Sequence, residues 1–235
     1  MITIITTVYN CGKYIKESID SILTQVFDDF ELIIVNDGST DDTSEIIRSF
    51  DDDRIIFIDH EENAGIPIRA NEAIDIAKGD YIAIHDGDDI SLPLRLSVEF
   101  STLKSDKSLF CVGSYAIIID DNSNEIDRWR HPPTNNNDMI NMIARGKNPV
   151  INPSSMFKKS DFNKVGKYTT EKKFQLVHDL ELWGKCLFSG LRFCTIEIPL
   201  VKYRINNNGL TFGRTLEMRK SHHLLLGKWR EEGKL

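Results

Sequence analysis

No apolar run among these 235 residues approaches the roughly 18 residues that span a bilayer, so any membrane contact is expected to be peripheral. No basic leader precedes the β-branched residues 2–8, which read as a first strand rather than a signal peptide. Cysteine is scarce. Cys11, Cys111, Cys186 and Cys194 form no Cys-x-x-Cys pair and no finger-like spacing, which argues against structural zinc and for free thiols in a reducing, cytoplasmic setting. Basic residues are in deficit, 29 Lys and Arg against 36 Asp and Glu, for a net charge of −7. That balance disfavours a nucleic-acid partner and means that an anionic ligand needs a local cation or a metal.

What the chain does have is 40% hydrophobic and 28% charged residues, an ordinary globular balance for one α/β domain over residues 1–235. Strands are expected at 2–8, 30–35, 55–58 and 81–85. Helices alternate with them, carrying Ile15, Ile19, Ile22, Leu23 and Val26, then Ile46, Ile47 and Phe50 after cap candidates at 39–42, then Ile66, Ala70, Ala73, Ile74 and Ala77. Such alternation predicts a mostly parallel central sheet flanked by helices, with ligands at the carboxyl ends of the strands. Beyond Pro93 the pattern gives a helix with Leu94, Val98, Phe100 and Leu103, a strand at 109–119 and an irregular surface excursion over 120–138. It continues with a short strand at 152–157, a helix at 176–189 carrying Leu180, Trp183 and Leu187, a strand at 196–204 and a last helix at 216–232 with Leu224 and Leu225.

The chain is organised around Gly79 to Asp89, where an apolar strand runs into Asp86-Gly87-Asp88-Asp89. Three like charges that close are naturally compensated by a divalent cation, and carboxylate oxygens suit Mg²⁺ or Mn²⁺, which take further ligands from substrate phosphates. The plainer reading is a polar turn that caps the next helix.

Taken together, Thr7-Val8-Tyr9-Asn10, Val35-Asn36-Asp37-Gly38-Ser39-Thr40-Asp41-Asp42-Thr43, Asn63-Ala64-Gly65 with Arg69-Ala70-Asn71, Asp86-Gly87-Asp88-Asp89, His178-Asp179-Leu180-Glu181-Leu182-Trp183 and Tyr203-Arg204 resemble the family-2 glycosyltransferases of GT-A fold, particularly bacterial enzymes that build surface polysaccharides. The resemblance implies an inverting, metal-dependent transferase that moves a sugar from a nucleotide-sugar, a UDP-sugar by preference, to a hydroxyl of a saccharide or lipid-linked acceptor. Residues 1–105 would bind the nucleotide-sugar and residues 106–235 the acceptor, with 120–138 and 148–157 choosing it, and peripheral association with the inner membrane face would follow from a lipid-linked acceptor.

Residue by residue, the resemblance places Thr7, Tyr9 and Asp37 at the nucleotide, with Asp37 reading the base, Asn63 beside them, and Arg69 and Arg204 at the diphosphate. Asp88 would ligate Mn²⁺ or Mg²⁺, and Asp86 the metal, its water or the ribose. Asp179 stands at the family's general base, with Glu181 as runner-up. Two departures stand out: His178 where the family has Glu, and Asn206 where it often has a His. For Asp37 taken alone a helix cap serves as well, and for Arg69 a solvated helix position. Two rival readings differ from this one in the motifs they require. A nucleotidyltransferase should carry a Gly-rich phosphate loop, which residues 6–13 lack; a non-catalytic sugar-nucleotide-binding module would have no use for Asp179.

Overall fold

The computed structural model describes residues 1–129, 132–205 and 215–235. Its centre is β1 (Ile2–Val8), which pairs in parallel with β2 (Phe30–Asp37) on one side and β4 (Tyr81–Ile84) on the other, while β2 pairs in parallel with β3 (Ile55–His60). The crossovers are α1 (Gly12–Leu23), α2 (Thr43–Arg48) and α3 (Ile66–Ile76). All of β2 is buried, as a strand covered on both faces must be. Side chains alternate across the sheet, so Ile5 and Ile33 join one apolar cluster with Phe157, Trp183 and Trp229, and Ile4 and Leu32 join another with Ile15, Ile19 and Leu96.

Past β4 the sheet changes direction. The short β8 (Met156–Lys158) runs antiparallel to both β4 and β6 (Leu109–Ile119), and β6 pairs in parallel with β9 (Arg192–Arg204). Among the described residues the order is β3-β2-β1-β4-β8-β6-β9-β5, where β5 is Ile90–Ser91, and β7 (Glu125–Trp129) folds back on β6. The first three crossovers all deliver their strands with carboxyl ends on the same side, which brings Thr7, Asp37, His60 and His85 to one edge of the sheet.

Several expectations are corrected. The stretch 120–138 is not irregular throughout: it holds β7 and the start of α5 (Asn136–Ile143), whose cap Asn135 accepts from Asp138 N at 3.0 Å. Every residue of β7 is exposed, so no polar–apolar alternation marks it. At 152–157 a 3-10 turn (Asn152–Ser154) precedes β8, and α6 (Lys159–Val165) follows with no apolar periodicity to announce it. Val26 lies beyond the end of α1 and is 65% exposed. In α4 (Arg95–Ser105) the buried face holds Arg95, Leu96, Glu99 and Leu103, whereas Leu94 precedes the helix and is exposed. The expected helix at 176–189 is α7 (His178–Phe188), with Leu180, Trp183 and Leu187 inside; in α8 (Thr215–Glu231) Leu225 and Trp229 are buried, but Leu224 faces out. All four cysteines are free thiols. Among the described residues no helix is long and apolar enough to cross a membrane. Asn206 lies outside the described residues.

Candidate active site

The strand ends are tied to one another before they meet any ligand. After β1, Asn10 N donates to Ser39 Oγ at 2.9 Å, Thr40 N returns a bond to Asn10 Oδ1 at 2.8 Å, and Cys11 N and Gly12 N donate to Thr43 Oγ1 and Asp41 Oδ2. The loops after β1 and β2 thus form one rim. Asp41 accepts from Thr43 N and Oγ1, so it, and not Asp37, braces the start of α2. Tyr9 stands half exposed on this rim and Thr7 lines the cleft beneath it.

Asp37 is 3% exposed and ties down the next loop. Its Oδ1 accepts from Ala64 N at 2.7 Å and Arg69 Nε at 2.8 Å, its Oδ2 accepts from Gly65 N at 2.8 Å, and its carbonyl accepts from Asn63 Nδ2 at 3.2 Å. Gly38, at φ +76°, lets the chain turn here, because a Cβ would come within 2.8 Å of the Glu62 carbonyl carbon. The structure therefore brings Asp37, Asn63 and Arg69 together. Arg69 is neither solvated nor unattached: Nη2 donates to Glu62 O at 2.8 Å and Nη1 lies 3.4 Å from Glu72.

The acidic turn follows β4. Gly87 is required by packing, since a Cβ there would sit 2.5 Å from Val8 Cγ1. Asp89 N closes the turn on Asp86 O at 3.1 Å. Asp89 does not cap α4: it is 1% exposed and accepts from Arg204 N at 2.8 Å. Arg204 itself is buried with its guanidinium fully engaged. Nε donates to Asp88 O at 2.7 Å, Nη1 to Asp120 O, and Nη2 to Glu17 at 2.9 Å, with Ser123 Oγ shared by both Nη atoms. The Tyr14 ring covers it at 4.6 Å. Direct contact with a diphosphate would require breaking this set, so Arg204 holds the turn by its main chain. Burial pushes Asp86 up to about 7, and the charges of Asp88 and Asp179 add to the shift. Burial and the charges of Asp88 and Asp86 push Asp89 well up, against the pull of Arg204.

Asp179 comes to this cleft from the first turn of α7, the positive end of the helix dipole. Its Oδ2 accepts from Asn148 Nδ2 at 2.5 Å and its Oδ1 from Leu180 N at 2.8 Å. His178 Nδ1 lies 2.8 Å from Gln175 O, an acceptor only, so Nδ1 carries a proton. The ring leans on Tyr168, 5.6 Å between centroids. Thr7, Asp86, Asn152, Tyr168 and His178 line the cleft between the sheet edge and α7. Glu181 is not there: it is buried 3.1 Å from Lys185 Nζ, which also donates to Lys167 O. Asn148 and Asn152 fall in the stretch 148–157 expected to choose the acceptor, whereas Tyr168 was missed in the sequence because it belongs to no periodic element or charged motif.

Among the described residues no group of three His, Cys, Asp or Glu side chains is arranged as a complete metal cage. The donor set still fits Mg²⁺ or Mn²⁺, which are commonly held by one or two carboxylates with substrate phosphates completing the shell. No hydrogen bond from a described residue reaches the Asp86 carboxylate, which lines the cleft.

A family model, glycosyl transferase family 2, matches residues 3–166. The chain belongs to glycosyl transferase family 2. An uncharacterized glycosyltransferase of Methanocaldococcus jannaschii is 33% identical over 99% of this chain and 80% of its own length. The O-antigen biosynthesis glycosyltransferase WbnJ of Escherichia coli is 32% identical over 88% of this chain and 80% of its own. Among solved structures, the mannosyltransferase PcManGT of Pyrobaculum calidifontis in complex with GDP-Man and Mn²⁺ superposes with a TM-score of 0.72 at 19% identity, covering 98% of this chain and 64% of that one. The S. aureus TarS fragment with UDP-GlcNAc gives 0.74 at 18%, covering 90% and 60%. This family-2 glycosyltransferase therefore has the GT-A fold, and it spans less than two thirds of those two solved chains.

Proposed function

We propose that this glycosyltransferase moves a sugar from a nucleotide-sugar, a UDP-sugar by preference, to a hydroxyl of a saccharide or lipid-linked acceptor, with a divalent cation and with inversion, in surface polysaccharide assembly. The observation that carries this reading is that Asp86, on the acidic turn, and His178, at the start of α7, line one cleft with Thr7, Asn152 and Tyr168, while Asp179 of the same helix turn is near enough for its charge to act on Asp86. The ligands named for the structural neighbours, UDP-GlcNAc in TarS and GDP-Man with Mn²⁺ in PcManGT, support the donor class. The E. coli relative WfaP, a UDP-Glc:α-D-GlcNAc-diphosphoundecaprenol glucosyltransferase, supports a lipid-linked acceptor. In that case the protein works at the cytoplasmic face of a membrane, held there peripherally.

In this reading Asp37 keeps one unused lone-pair direction on Oδ2, because each carboxylate oxygen accepts about two bonds, and it takes the N–H of the base. Thr7 and Tyr9 flank the nucleoside, and Asn63 and Arg69 fix the loop that closes over it. Asp86 and Asp88 hold Mn²⁺ or Mg²⁺, which would supply charge neutralisation for the departing diphosphate. Asp179, on the opposite side, accepts the proton of the attacking hydroxyl. Asn148 and the Leu180 amide orient it and leave its outer lone pairs for the acceptor. Residues 1–105 thus serve the donor and residues 106–235 the acceptor, within one catalytic domain.

Calorimetric titration with UDP tests the donor site. Binding should appear with Mn²⁺, vanish in excess chelator and drop by at least tenfold in Asp88→Ala; equal affinity in all three would overturn the metal assignment.

A further inference from the structure

Directly behind the acidic turn lies a buried polar cluster that no step above uses. Arg95 is 0% exposed and Glu99, its partner at 3.1 Å, is also 0% exposed. Taking such a pair out of water is costly, and an apolar pair of similar volume would often serve the fold as well or better. Where the arginine's hydrogens go shows what the cluster is for. Nη2 donates to Ile84 O at 2.7 Å, the last carbonyl of β4, and Nη1 to Ser91 Oγ at 3.0 Å and to His85 Nδ1 at 3.2 Å.

That last contact sets the tautomer of His85. A guanidinium can only donate, so Nδ1 accepts and the proton sits on Nε2. Nε2–H then donates to Ser18 Oγ at 2.8 Å, and the Ser18 hydroxyl donates to Asp86 O at 3.2 Å. Ser18 and His85 are each 1% exposed. A single directed chain of donors runs from Arg95 through His85 and Ser18 to the main chain of Asp86. Arg204 grips the other end of the same turn at Asp88 O. Both arginines bond carbonyls of β4 or its turn, so positive charge is anchored near the turn through the main chain.

We propose that Arg95, His85 and Ser18 are positioning residues for the Asp86–Asp88 turn, holding its backbone in the geometry that receives a divalent cation and the donor diphosphate. This rests on the donor-site reading above. Loss of one buried hydrogen bond that fixes the turn is expected to weaken cation-dependent binding about tenfold, equivalent to one to two kcal/mol, while the nucleoside pocket on β1 and β2 is untouched.

The test uses the full chain with two probes: UDP with Mn²⁺ by calorimetry, and uridine without metal by ligand-observed NMR. Ser18→Ala and His85→Phe should bind UDP·Mn²⁺ about tenfold more weakly than the wild type and bind uridine equally well. His85→Gln, which keeps a donor and an acceptor at the ring position, should restore UDP·Mn²⁺ binding to within about threefold and so carries the test, against His85→Phe, should Ser18→Ala fail to fold. Wild-type UDP·Mn²⁺ affinity in Ser18→Ala or His85→Phe overturns the positioning role, as does a parallel loss of uridine binding, which would mark a purely structural cluster. Metal-independent UDP binding by the wild type overturns the donor-site reading itself and this inference with it.

Discussion

Asn148 donates its amide hydrogen to Asp179 Oδ2 at 2.5 Å across 31 residues of sequence. The bond joins the loop ahead of β8 to the start of α7, and it fixes the plane of the Asp179 carboxylate, whose charge acts on Asp86. Asn148→Ala should therefore leave UDP affinity unchanged and lower turnover by about tenfold or more, since a misaimed base loses its advantage in the transition state only. Steady-state kinetics beside calorimetry checks this; a raised KM with unchanged kcat would place Asn148 in substrate binding instead.

Asp37 ties down its neighbouring loop and, in the function proposed, also binds the nucleotide, so its removal should show both. The carboxylate satisfies two backbone amides and Arg69 while 3% exposed. Asp37→Ala strands the half-buried Arg69 guanidinium and two N–H groups, with an expected stability loss of about 3 kcal/mol alongside weaker nucleotide binding. Urea unfolding measures the first. A loss confined to affinity, with unchanged stability, would mean that the loop is held by other contacts.

Burial pushes Glu99 from its ordinary 4.5 up to about 7, against the pull of Arg95. Between those values the folded protein holds a proton that the unfolded chain has released. The contribution of this group to stability is therefore full below about pH 4.5, declines as the pH rises and levels off above about pH 7. Glu99→Gln cannot ionise, so its stability relative to the wild type should increase across that window by an amount on the order of 2 kcal/mol. Chemical unfolding at pH 5 and pH 8 gives the comparison, and a difference independent of pH would contradict the assignment.

The first half of the fold was legible because each crossover there has a strongly patterned strand and helix, and because Asp37 and Asp86 to Asp89 fall where those strands end. The second half was less so. β7 is exposed on both faces and α6 has few apolar residues, so neither carries a period. The α4 face was misread because its core side contains Arg95 and Glu99, and a charge pair inside a protein looks like a solvent face in sequence. Arg204 was legible as a notable residue, but its five-donor engagement with Asp88, Asp120, Ser123 and Glu17 depends on pairings more than 80 residues apart. Asn152 and Tyr168 reach the cleft, and Asn148 reaches Asp179, through contacts far apart in sequence, which no local pattern encodes.

The most direct test of the whole account is Asp179→Asn, assayed on an acceptor that the wild type glycosylates, with donor hydrolysis measured separately. The amide is nearly isosteric, its oxygen keeps the bond from Leu180 N while its NH2 can donate to Asn148 Oδ1 once that amide turns over, and it leaves Trp183 packed against Phe157 and Phe193. The account predicts unchanged UDP·Mn²⁺ affinity and transfer reduced by roughly 10²–10⁴-fold, with Glu181→Gln transferring normally because Glu181 is turned away toward Lys185. Transfer at the wild-type rate by Asp179→Asn would contradict it.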